Sequence, residues 1–164
     1  MALQDDYTSR HPEEADAAVR QLNSLLRGEL SAVETYQMAI HKIASSDNPH
    51  VASDPEMLRE MLDEHGRAAE LLRQRIESLG GEASDSSGAW GTFAAGVQAT
   101  RDLLGDSSAL KGLKDGEQHG LKDYEDAVGE VDDASAAIIR SQLIPAQQQH
   151  VRTLDHLIAT ADRP

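Results

Sequence analysis

The chain has 164 residues, a formal charge of −14 and no cysteine. That is length enough for one buried core, too acidic for a phosphate-backbone partner, and without thiolate or disulfide chemistry. Aromatic residues make up only 3% of it and the apolar content is mostly Leu, Ala, Ile and Val, which favours helices over a sandwich or barrel. No apolar run has the length of a signal-peptide core or a bilayer span, so the expectation is a cytoplasmic protein with no membrane and no nucleic-acid partner.

In chain order, residues 1–11 read as a mobile arm and 12–164 as a single domain. Pro12, Glu13 and Glu14 resemble a helix start, with Pro in the first turn and acids near the positive end of the dipole. A mainly apolar stripe then runs through Leu22, Leu26, Glu29, Val33, Tyr36 and Ile40 in steps of three and four. "SSDNPHVASDP" ends that helix, and Ser53 with Glu56 supplies a capping box for the next. The second stripe is Leu58, Leu62, Ala69, Leu72, Ile76 and Leu79, closed by Gly80 and Gly81. Residues 80–91 are Gly- and Ser-rich loop, and Thr92 to Leu104 reads as a short helix, with Trp90 and Phe93 tucked against the bundle. A third long helix over about 108–129 carries Leu110, Leu113, Leu121, Tyr124 and Val128, and a fourth runs from about Ala134 to Ala161. Pro145 lies inside the fourth, where a kink is expected because its ring removes a hydrogen bond and crowds the preceding turn.

Four amphipathic helices imply an all-α four-helix bundle. Helices one and two, and helices three and four, are joined by short links and so form two antiparallel hairpins, about 12–80 and 106–161. The link between helices two and three is about 25 residues, well beyond the 2–8 typical of bundle neighbours. A helix of about 25 residues is roughly 38 Å long, and a link with a short helix can run back along it. Helices two and three are therefore expected to be parallel.

An internal repeat supports that arrangement. Leu22, Leu25, Glu29, Tyr36 and Ile40 correspond to Leu110, Leu113, Glu117, Tyr124 and Val128 at a constant offset, since 117 − 29 = 88. Leu58, His65, Arg67 and Leu72 correspond to Leu143, His150, Arg152 and Leu157 at another, since 150 − 65 = 85. Glu29 lies within about 40° of Leu22, Val33 and Ile40 on a helical wheel, in the middle of the apolar face. Glu117 occupies the matching place, and His65 and His150 interrupt the other two stripes at a similar depth. Two carboxylates and two imidazoles thus converge near mid-bundle, with Tyr36 and Tyr124 two turns away.

Buried and unpaired, such groups cost several kcal/mol, and two solutions are open. One divalent ion, Fe, Mn or Zn, held by Glu29, His65, Glu117 and His150 suits the mix of hard oxygens and imidazole nitrogens. A metal-free set of Glu–His and Glu–Tyr hydrogen bonds would satisfy them equally well.

With these residues in place the chain resembles the ferritin-like superfamily, and within it a family of uncharacterised bacterial proteins defined only as a domain of unknown function. Glu29 with Tyr36 resembles the first-helix Glu and Tyr of ferritins, and Glu117 the third-helix Glu. His65 and His150 resemble the histidines of the two Glu-x-x-His motifs. The resemblance implies a metal-handling or stress-response protein. It also shows a departure, because the bridging Glu positions are Leu62 and Gln147 here. Without those carboxylates two cations about 3.5–4 Å apart would repel with little between them, so full ferroxidase activity is not expected. Gln147, Tyr36 and Tyr124 are placed beside the site, while Asp63 and Glu64 are set aside as pointing away from the seam.

His41, His50, His119 and His156 have no ligand partner on a shared buried face. No glycine-rich phosphate loop follows a strand, and spacing assembles no Ser-His-Asp set. The rival reading is a metal-free helical interaction module retaining its Glu/His/Tyr core, with an unidentified protein partner or a second copy of the chain.

Overall fold

The structure is a computed structural model that describes residues 5–44, 55–88 and 106–162. The short helix expected over 92–104, with Trp90 and Phe93, lies outside the described residues. Helix α1 spans Asp5–Ala44, α2 Pro55–Ser78 and α3 Asp106–Ala127. Helix α4, Asp133–Ile138, continues through a π-helical segment, Ile139–Leu143, into α5, Ile144–Ala161. No strand occurs among the described residues, and none of their helices is long and apolar enough to cross a membrane.

Two boundaries differ from the sequence expectation. Helix α1 begins at Asp5, ahead of the Pro12 start. The fourth long helix meets Pro145 by widening just before it. The Ile144 amide bonds the Ile139 carbonyl, five residues back, so the turn is already loosened where Pro145 has no N–H to give.

The buried residues form two apolar clusters. One joins Leu22, Leu25 and Leu26 of α1 to Leu72 and Ile76 of α2, Tyr124 and Ala127 of α3, and Ile139 and Leu143. The other joins Tyr36 and Ala39 to Leu58 and Met61, Leu110 and Leu113, and Leu154 and Leu157. Each cluster takes the early part of α1 with the late part of α2, or the reverse, so these helices are antiparallel. By the same test α2 and α3 are parallel, and α3 and α5 antiparallel. This is the up-down pair of hairpins with a crossover between them. Fully burying a Leu or Ile side chain contributes roughly 1.5–3 kcal/mol, and the clusters hold more than a dozen such side chains or their equivalents.

The start of the crossover can be followed along α1. Gly80 closes α2 in the left-handed region, at φ 77°, and the Gly81 amide bonds back to the Ile76 carbonyl at 3.0 Å. Asn23 then bonds the Glu82 carbonyl and the Ser84 amide, Arg27 donates to Ser84 Oγ, and Ser87 donates to Glu34. The partners advance from position 23 to 34 of α1, toward the end of the bundle where α3 begins. At the opposite end Arg75 donates to Asp132 and Ser135, and Asp132 caps α4 by accepting from the Ala134 and Ser135 amides.

Candidate metal centre

Between the two apolar clusters lies a polar layer. Helix α1 contributes Glu29, α2 His65, α3 Glu117, and α5 Gln147 and His150, each no more than 6% exposed. Every one of them continues an apolar stripe at helical spacing, so the packing that buries the leucines also buries these groups.

Glu117 is the hub. Its Oε1 accepts from Tyr36 Oη and lies 3.0 Å from His65 Nε2. Its Oε2 accepts from Gln147 Nε2 at 2.6 Å and lies 3.2 Å from His150 Nδ1. Glu29 accepts from Tyr124 Oη and lies 2.8 Å from His65 Nδ1. Each tyrosine therefore reaches across the bundle to the carboxylate of the other hairpin. Gln147 also donates to the Glu117 carbonyl at 3.0 Å. Gly120 permits that approach, because a Cβ there would stand 2.8 Å from the Gln147 amide nitrogen.

One correction concerns Glu64. Set aside from the sequence as pointing away from the seam, it lies 2.6 Å from His150 Nε2 through its Oε2. Its side chain remains 40% exposed. It precedes His65 by one residue and so sits about 100° around α2, which turns it from the bundle centre toward α5. A continuous chain of contacts results: Glu29, His65, Glu117, His150, Glu64. Leu62, by contrast, is half-buried and packs with the second apolar cluster.

The electrostatics follow from these contacts. Burial alone would lower the His65 pKa, but Glu29 and Glu117 on either side outweigh it and raise it to about 10. Burial alone would raise that of Glu117, yet the charge of His65 and the hydrogen bonds from His150 and His65 bring it down to about 2. The Tyr36 and Tyr124 phenols are pushed well above their usual range, first by burial and then by Glu117 and Glu29 respectively. No buried side-chain nitrogen or oxygen among the described residues lacks a hydrogen-bond partner.

The donor set suits a metal ion. One ligand atom from each of His65, Glu117 and His150 lies within 4.8 Å of the others. In a tetrahedral site with bonds of about 2.0–2.1 Å, donors stand roughly 3.3 Å apart. The His–Glu117 separations, 3.0 Å from His65 to Oε1 and 3.2 Å from His150 to Oε2, are near that spacing but run to different oxygens, so one ion would need both oxygens of Glu117 or a turn of its carboxylate. An ion would therefore take the place of the protons that now join these groups. Of the four expected ligands Glu29 stands apart from this triad, at His65 Nδ1 rather than Nε2.

Comparison with known proteins places the chain in a family. The family model described as "Domain of unknown function (DUF2383)" matches residues 17–130. The chain belongs to that family. The part matching DUF2383 includes Glu29, His65 and Glu117 and ends before His150. A crystal structure described as of "ferritin like, diiron-carboxylate proteins from Bacillus anthracis str. Ames" superposes with a TM-score of 0.69 at 18% identity, over 88% of this chain and 97% of that one. This DUF2383 chain thus has a ferritin-like fold. No curated protein sequence matches it.

Of the remaining histidines, His119 is exposed and pairs with Asp123 at 3.5 Å, and His156 is exposed. His50 lies outside the described residues.

Proposed function

We propose that the protein binds one divalent transition-metal ion, Fe²⁺, Mn²⁺ or Zn²⁺, through His65, Glu117 and His150, with Glu29 orienting His65 from its other nitrogen. Its role is metal handling in the cytoplasm. The observation that carries this reading is the buried His65–Glu117–His150 triad at ligand spacing. Two nitrogens and one carboxylate oxygen suit these borderline ions, and the ferritin-like neighbour named as a diiron-carboxylate protein gives the fold a precedent. Leu62 and Gln147 supply no bridging carboxylate, so one ion rather than two is the natural occupancy. The bound ion would act as a Lewis acid, held by the neutral imidazoles of His65 and His150 and the carboxylate of Glu117. His65 must lose a proton to ligate, so uptake releases protons and tightens as pH rises.

Metal analysis of protein purified without a His-tag is the primary test, with about one ion per chain expected. Binding should raise the melting temperature by mass action, and the gain should vanish in His65→Ala and His150→Ala. Equal thermal shifts in wild type and both variants would place the ions on the acidic surface instead.

One observation favours a second reading, a metal-free structural or interaction module. The polar layer already pairs all of its buried atoms among the described residues. Under that reading, replacing Glu29, His65, Glu117 and His150 together by Leu leaves stability at least equal to that of metal-stripped wild type, because desolvation costs disappear. Under the metal reading the same variant loses all specific metal uptake.

A further inference from the structure

A cleft of about 70 Å³ lies between α1 and α3 and reaches the polar layer. By the measure in which about 10–15 Å³ holds one water, it admits several waters or one small molecule. Its floor is Glu29, His65 and Glu117, and its outer end carries the exposed His119 and the half-buried Asp123. His150 and Glu64 do not line it. They close the cluster from the side of α2 and α5.

What keeps the cleft open is the smallness of its walls. Gly28 and Ala32 line it from α1, and Gly116 and Gly120 from α3. The internal repeat relates them, since 28 + 88 = 116 and 32 + 88 = 120. A Cβ built on Gly28 meets no atom within 4 Å. Glycine inside a helix costs about 1 kcal/mol relative to alanine, and no close contact demands it at position 28. Empty space against three buried charged groups is the result.

We infer that this cleft is the binding site for a small exogenous ligand of the metal ion, a monodentate anion or diatomic molecule of about two or three heavy atoms. The inference rests on the metal reading above. Three protein donors leave a coordination position open, and of the three donors the cleft reaches His65 and Glu117. The ligand enters past His119 and Asp123, between glycine and alanine walls too small to block it. Apolar walls at Leu25 and Leu113 favour a ligand whose far end needs no hydrogen bond.

The test uses the full chain loaded with Co²⁺, whose visible bands report coordination, titrated with azide. Wild type should show a saturable spectral change. Gly28→Leu and Ala32→Leu should bind Co²⁺ with unchanged stoichiometry but azide at least about tenfold more weakly. Gly28→Ala should stay near wild type, since one methyl leaves most of the space. Metal-free Gly28→Ala should melt no lower than wild type, because it replaces a helical glycine and its Cβ meets no atom within 4 Å. If Gly28→Leu does not fold, Ala32→Leu carries the same comparison. Azide binding unchanged in the leucine variants, or no azide response in Co²⁺-loaded wild type, overturns the inference while leaving metal binding intact. Wild type that takes up no Co²⁺ instead overturns the metal reading and this inference with it.

Discussion

The two hairpins deliver the same inventory to mid-bundle and finish it differently. In the first, His65 lies between two carboxylates, Glu29 and Glu117, both buried. In the second, His150 lies between Glu117, which it shares with His65, and Glu64, which faces solvent. Glu117 also receives Gln147, whereas the matching residue of the first hairpin, Leu62, only packs. The repeat thus accounts for the carboxylates, the tyrosines and the histidines, and its breakdown makes Glu117 the hub. A two-fold scaffold carries a polar layer with a single hub.

Removing the hub should separate the halves most. Glu117→Ala strips partners from Tyr36, His65, Gln147 and His150 at once. It should cost about 3–5 kcal/mol in urea denaturation of metal-free protein. Glu29→Ala leaves His65 Nε2 with Glu117 and orphans two atoms, His65 Nδ1 and Tyr124 Oη, a smaller loss of roughly 2–3 kcal/mol. Equal losses would mean that the halves are energetically symmetric despite their contacts.

Restoring the symmetry should have the next largest effect. Leu62→Glu with Gln147→Glu supplies a bridging carboxylate from each hairpin. In metal-free protein the new carboxylate at position 147 meets Glu117 without the amide donor, costing about 2–3 kcal/mol. With Fe²⁺ present the variant should bind two ions per chain and oxidise them with oxygen faster than wild type. A wild type that already matches it would show that the bridges are dispensable.

The pH dependence reports the shared hub. His65 holds its proton more tightly than at its ordinary 6.5, so its contribution is complete below pH 6.5 and is lost as pH rises toward about 10. Glu117 is more acidic than its ordinary 4.5, so its contribution is complete above pH 4.5 and is lost as pH falls toward about 2. The layer stabilises metal-free protein most between about pH 4.5 and 6.5, with flanks of order 1 kcal/mol per pH unit. In Glu117→Ala both flanks should flatten, which denaturation at a series of pH values would measure.

Much of this was legible because burial follows helical period. Glu29, His65, Glu117 and His150 stand where a leucine would otherwise stand, and the repeat showed that the substitution was systematic. The parallel α2 and α3 followed from the length of the link alone. Glu64 was missed for a physical reason. A bundle helix has two neighbours besides the central seam, and a residue 100° off the seam faces one of them with a side chain long enough to reach inward. The signal was present, since an acid beside a core histidine is within reach of the next helix's histidine. The π segment announced itself only through Pro145, which marks where a helix must adjust but not how. The cleft could not be read at all. The glycines at 28 and 116 look like weak helix positions until the neighbouring helix leaves space beside them.

The smallest expected effect tests the solvent-facing end of the asymmetry. Glu64→Gln keeps the length of the side chain and one oxygen to accept from His150 Nε2, but removes the charge. Because Glu64 is 40% exposed, water screens that charge, and unfolding free energy should change by less than about 1 kcal/mol. Metal affinity is more sensitive, because a carboxylate on the far nitrogen of a ligating histidine fixes its ring and raises its basicity. Losing such a partner costs about 10–100-fold, and the exposure of Glu64 puts the expected loss near the lower bound. Glu64→Ala, which removes the acceptor altogether, should lose more affinity than Glu64→Gln. Competition titrations against a chromophoric chelator would give both values beside wild type. If both variants bind metal as wild type does, His150 is held by Glu117 alone and the contrast between the hairpins ends at Gln147. If affinity falls in that order while stability holds, Glu64 positions His150 for the ion and not merely for the fold.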